Sequence, residues 1–324
     1  MNLLQIENLS VKFQSTQGTI DAVSNVSFAV KPGEIRGIIG ESGSGKSVLS
    51  LALLGLLDEK AQVQYDYFSF NNESLSELSQ HQRIKKLRKN ISIIFQDPSE
   101  SLNPTLTLKS QLRETIALHN DGAGSDFITE ESARLLSDVG LSAHESLLPL
   151  YPHQLSDGVN QRIMIALALA CSPKLLIADE ATTNLDMTIQ AQILQLLTGL
   201  SRDRNMAVVM ITHDFAILAE ATQSTSVMYC GYLLETGKTA ELLHSPKHPY
   251  TQSLVNSVPQ LGTAVKSHSH LYALPGSIPP ADQIPVGCPL GPRCPRAGKP
   301  CVKLPPVQGD DEHKFRCHFP LGER

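Results

Sequence analysis

Gly40-Glu41-Ser42-Gly43-Ser44-Gly45-Lys46-Ser47 decides how the rest of this chain is read. It satisfies G-x-x-x-x-G-K-[ST] in full and lies between two apolar runs. Glu34-Ile35-Arg36-Gly37-Ile38-Ile39 before it is a short buried strand, and Ser47 to Leu57 after it is apolar enough for a core helix. Glycines in such a loop let successive backbone N–H groups turn inward around phosphate oxygens, and the following helix N-terminus adds its partial positive charge. Gly40, Ser42, Gly43 and Gly45 then line a phosphate cradle. Lys46 reaches the β- and γ-phosphates and the Ser47 hydroxyl ligates Mg²⁺. Strand, glycine loop and helix in that order form the first βα unit of an α/β sheet.

Upstream, apolar residues recur at period two (Leu4, Ile6, Leu9, Val11, Phe13, then Ala22, Val23, Val26, Phe28, Val30) around a turn at Gln17-Gly18, which predicts an antiparallel hairpin or small sheet. Downstream, Leu175 to Ala178 and Ala207 to Ile211 are β-type runs separated by an amphipathic helix from about Met187 to Arg202. Such alternation predicts a parallel sheet. Between them, Ser110 to Leu118, Glu130 to Val139 and Gln161 to Ala170 carry helical spacing, so a helical insertion over about 98–165 interrupts the α/β core. From about Ser245 ten prolines fall within fifty residues, and a segment of this kind does not build a core unaided. The expected division is therefore a cassette over 1–245 and an extension over 246–324.

Composition narrows the function. The chain has 324 residues, and 27 Lys+Arg against 32 Asp+Glu gives a net charge of −5 with no basic half, which disfavours sequence-wide nucleic-acid binding. The basic run Arg83 to Lys89 reads as a solvated helix face. The longest apolar run, Ile163 to Cys171, is half of what a membrane helix needs, and Met1 to Glu7 lacks the charge of a secretory leader. A cytosolic chain is expected.

Leu175-Leu176-Ile177-Ala178-Asp179-Glu180 is an apolar strand that ends in two acids at its carboxyl edge, where ligands bind in open α/β sheets. Asp179 can hold the Mg²⁺ water shell, and Glu180 can face the γ-phosphate and orient an attacking water. The remaining motifs resemble those of an ABC-transporter ATPase subunit, in order along essentially the whole chain. Phe95-Gln96-Asp97-Pro98, with Ser101-Leu102-Asn103-Pro104 beyond, resembles the Q-loop. Leu155-Ser156-Asp157-Gly158-Val159, preceded by Tyr151-Pro152-His153-Gln154, resembles the signature loop. Asn184-Leu185-Asp186 is similar to the D-loop, Thr212-His213-Asp214 to the switch histidine, and Phe13 falls where the family stacks an aromatic on adenine.

The resemblance implies a P-loop ATPase core with an N-terminal antiparallel β subdomain, a helical subdomain and a small Cys-rich extension. It implies ATP and Mg²⁺ as ligands, with Glu180, His213 and Gln96 in catalysis and Gln96 also on the metal with Ser47 and Asp179. Two cassettes pack head to tail in this family, so Ser156, Asp157, Gly158 and Asp186 would face a nucleotide held by a second ATPase subunit. Two integral-membrane permeases, reached through about 99–107, and an extracytoplasmic solute-binding protein complete the expected assembly, with this chain peripheral on the cytoplasmic membrane face. The family has glycine where this chain has Asp157. A carboxylate there either faces the partner's γ-phosphate and impairs one of two composite sites, giving an asymmetric heterodimer, or turns away to cap its helix.

Cys171 and Cys230 stand alone in apolar stretches and read as buried small hydrophobes, whereas Cys288, Cys294, Cys301 and Cys317 crowd the end of the chain. Metal ligation is the default for four clustered cytosolic thiols, and no C-x-x-C pair supports a zinc ribbon. The stretch from His248-Pro249-Tyr250-Thr251 through Leu274-Pro275-Gly276 to Pro292-Arg293-Cys294-Pro295 is similar to the C-terminal extension of the oligopeptide, dipeptide and nickel importer ATPases, some of which carry a [4Fe–4S] cluster there. A cluster, a zinc ion, or free or disulfide-paired thiols are the alternatives. Peptide import is the expected role; nickel, chito-oligosaccharide or antimicrobial-peptide transport, or a soluble ATPase outside transport, are the alternatives.

Overall fold

The computed structural model describes residues 1–15, 18–120, 122–142, 144–183, 185–258 and 274–322; the side chains of Ser99 and His144 also lie outside the described set. Gln17 and Asn184, parts of the expected turn and D-loop, fall outside it. In chain order come β1 (Leu4–Ser15), β2 (Gly18–Val30), β3 (Ile35–Ile39), α1 (Lys46–Leu54), β4 (Ala61–Gln64), β5 (Tyr67–Phe70) and β6 (Glu73–Ser74). Next are α2 (Gln80–Leu87), β7 (Ile91–Ile94), α3 (Pro98–Ser101), α4 (Leu108–His119), α5 (Ser125–Asp138), α6 (His144–Leu147), α7 (Asp157–Leu169), β8 (Leu175–Asp179), α8 (Met187–Arg204) and β9 (Ala207–Thr212). The chain closes with α9 (Phe215–Ala221), β10 (Ser224–Tyr229), β11 (Tyr232–Lys238), α10 (Thr239–His244), α11 (Pro249–Asn256), β12 (Gln308–Gly309) and β13 (Lys314–Phe315). Among the described residues no helix is long and apolar enough to cross a membrane.

Two compact units result: residues 1–77 with 210–324, and residues 78–209. The extension expected over 246–324 falls inside the first unit, because β13 pairs with β11 and Leu290 and Phe315 are buried. The second unit is wider than the expected insertion over 98–165, since β7 and β8 belong to it.

In the first unit β1 pairs antiparallel with β2, and β4 and β5 pair with β1, so the expected hairpin grows into a five-stranded sheet. Leu4, Ile6, Leu9 and Val11 are buried. The three-residue step from Ile6 to Leu9 coincides with a register shift at Asn8, whose φ of 53° makes the bulge that restores the inward face. A second path runs β12-β13-β11-β10-β3, with β10 parallel to β3. Helix α1 stops at Leu54 rather than Leu57 because Gly55 turns left-handed, its N–H and that of Leu56 bonding back to Ala52 and Leu51.

In the second unit β7 and β8 are parallel, and every residue of β8 is buried, as a strand covered on both faces requires. Helices α4, α5 and α7 pack through Leu112, Ile116, Leu135, Leu136 and Ile163. The basic run lies mostly on α2, where Arg83 and Leu87 are buried and Lys85, Lys86, Arg88 and Lys89 exposed. Helix α8 runs two residues past the expected Arg202, ending where Asn205 turns left-handed.

Candidate functional site

The phosphate loop joins β3 to α1 entirely within the first unit. Gly45 is the N-cap of α1 at φ 104°, and a Cβ there would lie 2.7 Å from the Ala22 carbonyl oxygen. A Cβ at Gly40 would lie 2.1 Å from the Met228 carbonyl oxygen. Both glycines are thus demanded by backbone packed against the loop. Gly43, at φ 82°, differs: the nearest atom to its Cβ position is Ile278 Cγ2 at 3.8 Å, so the crest of the loop is open. Lys46 is buried, and its ammonium donates to the carbonyl oxygens of Gly40 at 2.8 Å and Glu41 at 3.0 Å. A cation drawn inside its own loop, next to an open crest and left-handed glycines, is the donor set a polyphosphate needs. Ser44 Oγ is buried without a hydrogen-bond partner, and Ser42 and Ser47 are exposed.

The same loop is held from elsewhere in its unit. The backbone N–H of Glu41 donates to the Tyr250 hydroxyl at 2.9 Å, and the Glu41 carboxylate accepts from Arg293 at 2.9 and 3.0 Å. Both residues lie in the quoted stretches of the C-terminal extension, but nothing in the sequence ties them to a loop more than 200 positions away. Burial pushes the Tyr250 phenol up, and that of Tyr229 up to about 12. Phe13 is half-buried on β1 opposite Ile20 of β2 and Ala61 of β4. His213 is exposed directly after β9, and Asp214 behind it caps α9 by accepting from Ala216 N at 2.8 Å.

In the second unit Asp179 closes β8 and is buried, while Glu180 is half-buried at φ 51°, a left-handed conformation that costs a non-glycine residue. Thr183 Oγ1 donates to Glu180 Oε2 at 3.3 Å. Ile94 of β7 is in register with Ala178 of β8, so Gln96 and Glu180 each emerge two residues beyond the same end of one parallel pair. Gln96 is exposed.

Ser156 is the N-cap of α7 without a side-chain cap bond, and Asp157, exposed in the first helical position, supplies no side-chain cap either. The carboxylate therefore meets the helix N-terminus only through its field. Asn160 ties the preceding turn by donating to the Pro152 carbonyl at 3.0 Å. A Cβ at Gly158 would lie 3.1 Å from Ile189 Cγ2, so α7 and α8 touch at their first turns. Asp186 caps α8, accepting from Thr188 N and Ile189 N at 3.0 Å each. Two acid-bearing helix N-termini lie side by side there.

All four clustered cysteines are free and near one another in the first unit. Burial raises the Cys288 and Cys294 thiols and lifts Cys317 to about 11, with the other three sulfurs adding like-charge repulsion at Cys317. The backbone locks their loops together: Cys288 N donates to the Cys301 carbonyl at 2.9 Å, and a Cβ at Gly287 would collide with that carbonyl. Among the described residues no three His, Cys, Asp or Glu side chains converge on one point that could hold a metal ion. The sulfurs are neighbours without the single centre that tetrahedral zinc demands. Cys230 is buried, as expected, and Cys171 partly so.

Residues 23–183 match the ABC transporter family model, and residues 234–301 match that of the oligopeptide/dipeptide transporter C-terminal region. The chain is 44% identical over its whole length, and 98% of the relative's, to the dipeptide transport ATP-binding protein DppD of Escherichia coli K12. It is 40% identical, over 99% of its length and 98% of the relative's, to the peptide transport system ATP-binding protein SapD of Salmonella typhimurium. Among solved structures, the ATP-binding cassette MJ0796 in a dimeric post-hydrolysis state bound to ADP and phosphate aligns with a TM-score of 0.64 at 26% identity, covering 73% of this chain and 98% of that one. Phosphate loop, acid-ended strand and cysteine-bearing extension thus occur together in one chain, which belongs to the ABC-transporter ATP-binding family in its oligopeptide/dipeptide branch.

Proposed function

We propose that this chain is the ATP-hydrolysing subunit that energises a peptide importer. The observation that carries the reading is the phosphate loop, with its buried Lys46 ammonium, two sterically obligatory glycines and an open crest at Gly43. On nucleotide binding, phosphate oxygens compete with the Gly40 and Glu41 carbonyls for Lys46, and Phe13 stacks on the adenine. Ser47, Asp179 and Gln96 would hold Mg²⁺, and their hydroxyl, carboxylate and amide oxygens are the hard donors that ion takes. The ion supplies charge neutralisation at the β- and γ-phosphates. Glu180 orients the attacking water as general base, and His213 contacts the γ-phosphate.

A second, different ATPase subunit supplies the other cassette, Ser156, Asp157, Gly158 and Asp186 facing its nucleotide. Asp157 puts a negative charge toward that polyanion, so turnover is carried mainly by the site that contains this chain's own Lys46 and Glu180. Permeases contact residues 99–107, an extracytoplasmic binding protein delivers the peptide, and the chain sits peripherally at the cytoplasmic membrane face. The peptide substrate rests on the named relatives and on the C-terminal match.

Cys288, Cys294, Cys301 and Cys317 are proposed as ligands of a [4Fe–4S] cluster on their mutual nearness, cysteine thiolate being the ligand such clusters take. Anaerobically purified protein with absorbance near 400 nm that bleaches under dithionite supports the cluster, and a colourless zinc-containing protein refutes it. For the ATPase, the assembled transporter is reconstituted with Glu180→Gln. Retained ATP binding with turnover reduced at least about 100-fold is expected, the scale on which a general base contributes. Undiminished turnover refutes the role of Glu180. Asp157→Gly is expected to raise total ATPase, and an unchanged rate refutes the asymmetry.

A further inference from the structure

Arg293, which no motif of the ATP site includes, spends its donors on the phosphate loop and on the strap that crosses it. Nη1 donates to both Glu41 carboxylate oxygens and, at 3.2 Å, to the Tyr229 hydroxyl; Nε donates to the Pro275 carbonyl at 3.0 Å and Nη2 to the Gly276 carbonyl at 3.2 Å. Its guanidinium also lies 5.8 Å from the centre of the Tyr229 ring, which packs edge-on against Tyr250 at 4.8 Å. The Arg293 side chain is 10% exposed and that of Glu41 31%, so the pair is partly withdrawn from water.

Glu41 is thereby fixed at every polar group it has. Its N–H goes to Tyr250, its C=O receives Lys46, and its carboxylate receives Arg293. Two of these three partners come from the C-terminal segments. Residues 275–278, held by Arg293, bring Ile278 closest to the open crest at Gly43. An unpaired carboxylate in a loop built to receive polyphosphate would repel its ligand.

We propose that Arg293 is a positioning residue for nucleotide binding: it neutralises and anchors Glu41, so that the C-terminal extension sets the ATP affinity of the phosphate loop. This rests on the loop being the ATP site. The extension is then a working part of the nucleotide site as well as a family appendage, and a change of structure around Cys294, the next residue, reaches the loop through one side chain.

The test uses the purified full-length chain with a fluorescent ATP analogue and Mg²⁺, with thermal melting as a check on folding. Arg293→Gln is expected to weaken binding roughly tenfold, the scale of one uncompensated like charge near a phosphate. Adding Glu41→Gln to Arg293→Gln is expected to recover most of that loss, because the repelling charge is gone. Arg293→Lys keeps the positive charge that Glu41 receives through one nitrogen and loses the contacts to the Pro275 and Gly276 carbonyls, and is expected to stay within about threefold of wild type. In the reconstituted transporter Arg293→Gln is expected to raise KM for ATP while kcat changes less than about twofold, as the loss of uniform binding does. Arg293→Gln binding as wild type does, or the double variant binding no better than the single, overturns the proposal. If Arg293→Gln fails to fold, a tenfold loss in Arg293→Lys overturns it equally. Wild-type protein that binds no ATP overturns the nucleotide-site reading and this proposal with it.

Discussion

Lowering the pH from 7 to 5 is expected to destabilise the protein through His248. This residue opens α11, is 1% exposed, and accepts a hydrogen bond from Tyr250 N at Nδ1, 3.1 Å away. Burial lowers its pKa from 6.5 to about 4, with the nearby Glu235 charge opposing the shift by less. The folded state therefore binds fewer protons than the unfolded one between these values. The stability this contributes is complete above the unfolded pKa of 6.5 and is lost as pH falls toward about 4. At 1.36 kcal/mol per pKa unit the full loss is about 3 kcal/mol, of which about 2 kcal/mol has gone by pH 5. Protonation would also remove the lone pair that caps α11, the helix whose Tyr250 hydroxyl holds the phosphate loop at Glu41. Glu235 faces the same place, accepting from His248 N, from Lys247 N and from His313, so other ionisable groups lie nearby. His248→Asn separates them, because asparagine caps a helix and does not titrate. Guanidinium unfolding midpoints at pH 7, 6 and 5 and fixed ionic strength should show wild type losing about 2 kcal/mol more than the variant. Parallel pH dependences in the two proteins would refute the argument.

Three further outcomes follow from particular contacts. Gly45→Ala puts a methyl group 2.7 Å from the Ala22 carbonyl at a left-handed φ, and should abolish nucleotide binding and lower the melting temperature; binding at the wild-type level contradicts the steric argument. Tyr250→Phe removes the acceptor of Glu41 N and should cost about 1–3 kcal/mol in unfolding free energy, with weaker ATP binding. Asp186→Ala removes a cap that serves two N–H groups of α8 and should cost about 1 kcal/mol by denaturant unfolding, whether or not the second cassette is present.

The phosphate loop was readable because strand, loop and helix adjoin in sequence at a fixed glycine spacing, although the carbonyls that demand Gly45 and Gly40, those of Ala22 and Met228, come from elsewhere in the chain. The acid-ended strand was readable for the same reason, since an all-buried parallel strand leaves an unbroken apolar run before Asp179. Helix ends were misplaced where one left-handed residue decides them, Gly55 after α1 and Asn205 after α8. Asp186, expected in the D-loop, also caps α8, a role signalled by an aspartate directly before the helical run that starts at Met187. The grip of Tyr250 and Arg293 on Glu41 was illegible because it joins chain segments more than 200 residues apart and follows no period. The extension read as a tail stapled by cysteines, yet it also pairs β13 with β11 and buries Leu290 and Phe315.

Glu180 holds its carboxylate on a backbone at φ 51°, where glycine would rest without penalty and a side-chain-bearing residue costs about 1–2 kcal/mol. With Glu180 as the general base proposed above, position 180 is a place where evolution for heat tolerance and evolution for turnover pull in opposite directions. A library screened only for survival at high temperature would enrich glycine or asparagine there and return sturdy, inert cassettes. Any stabilisation campaign on this scaffold has to hold that one codon fixed.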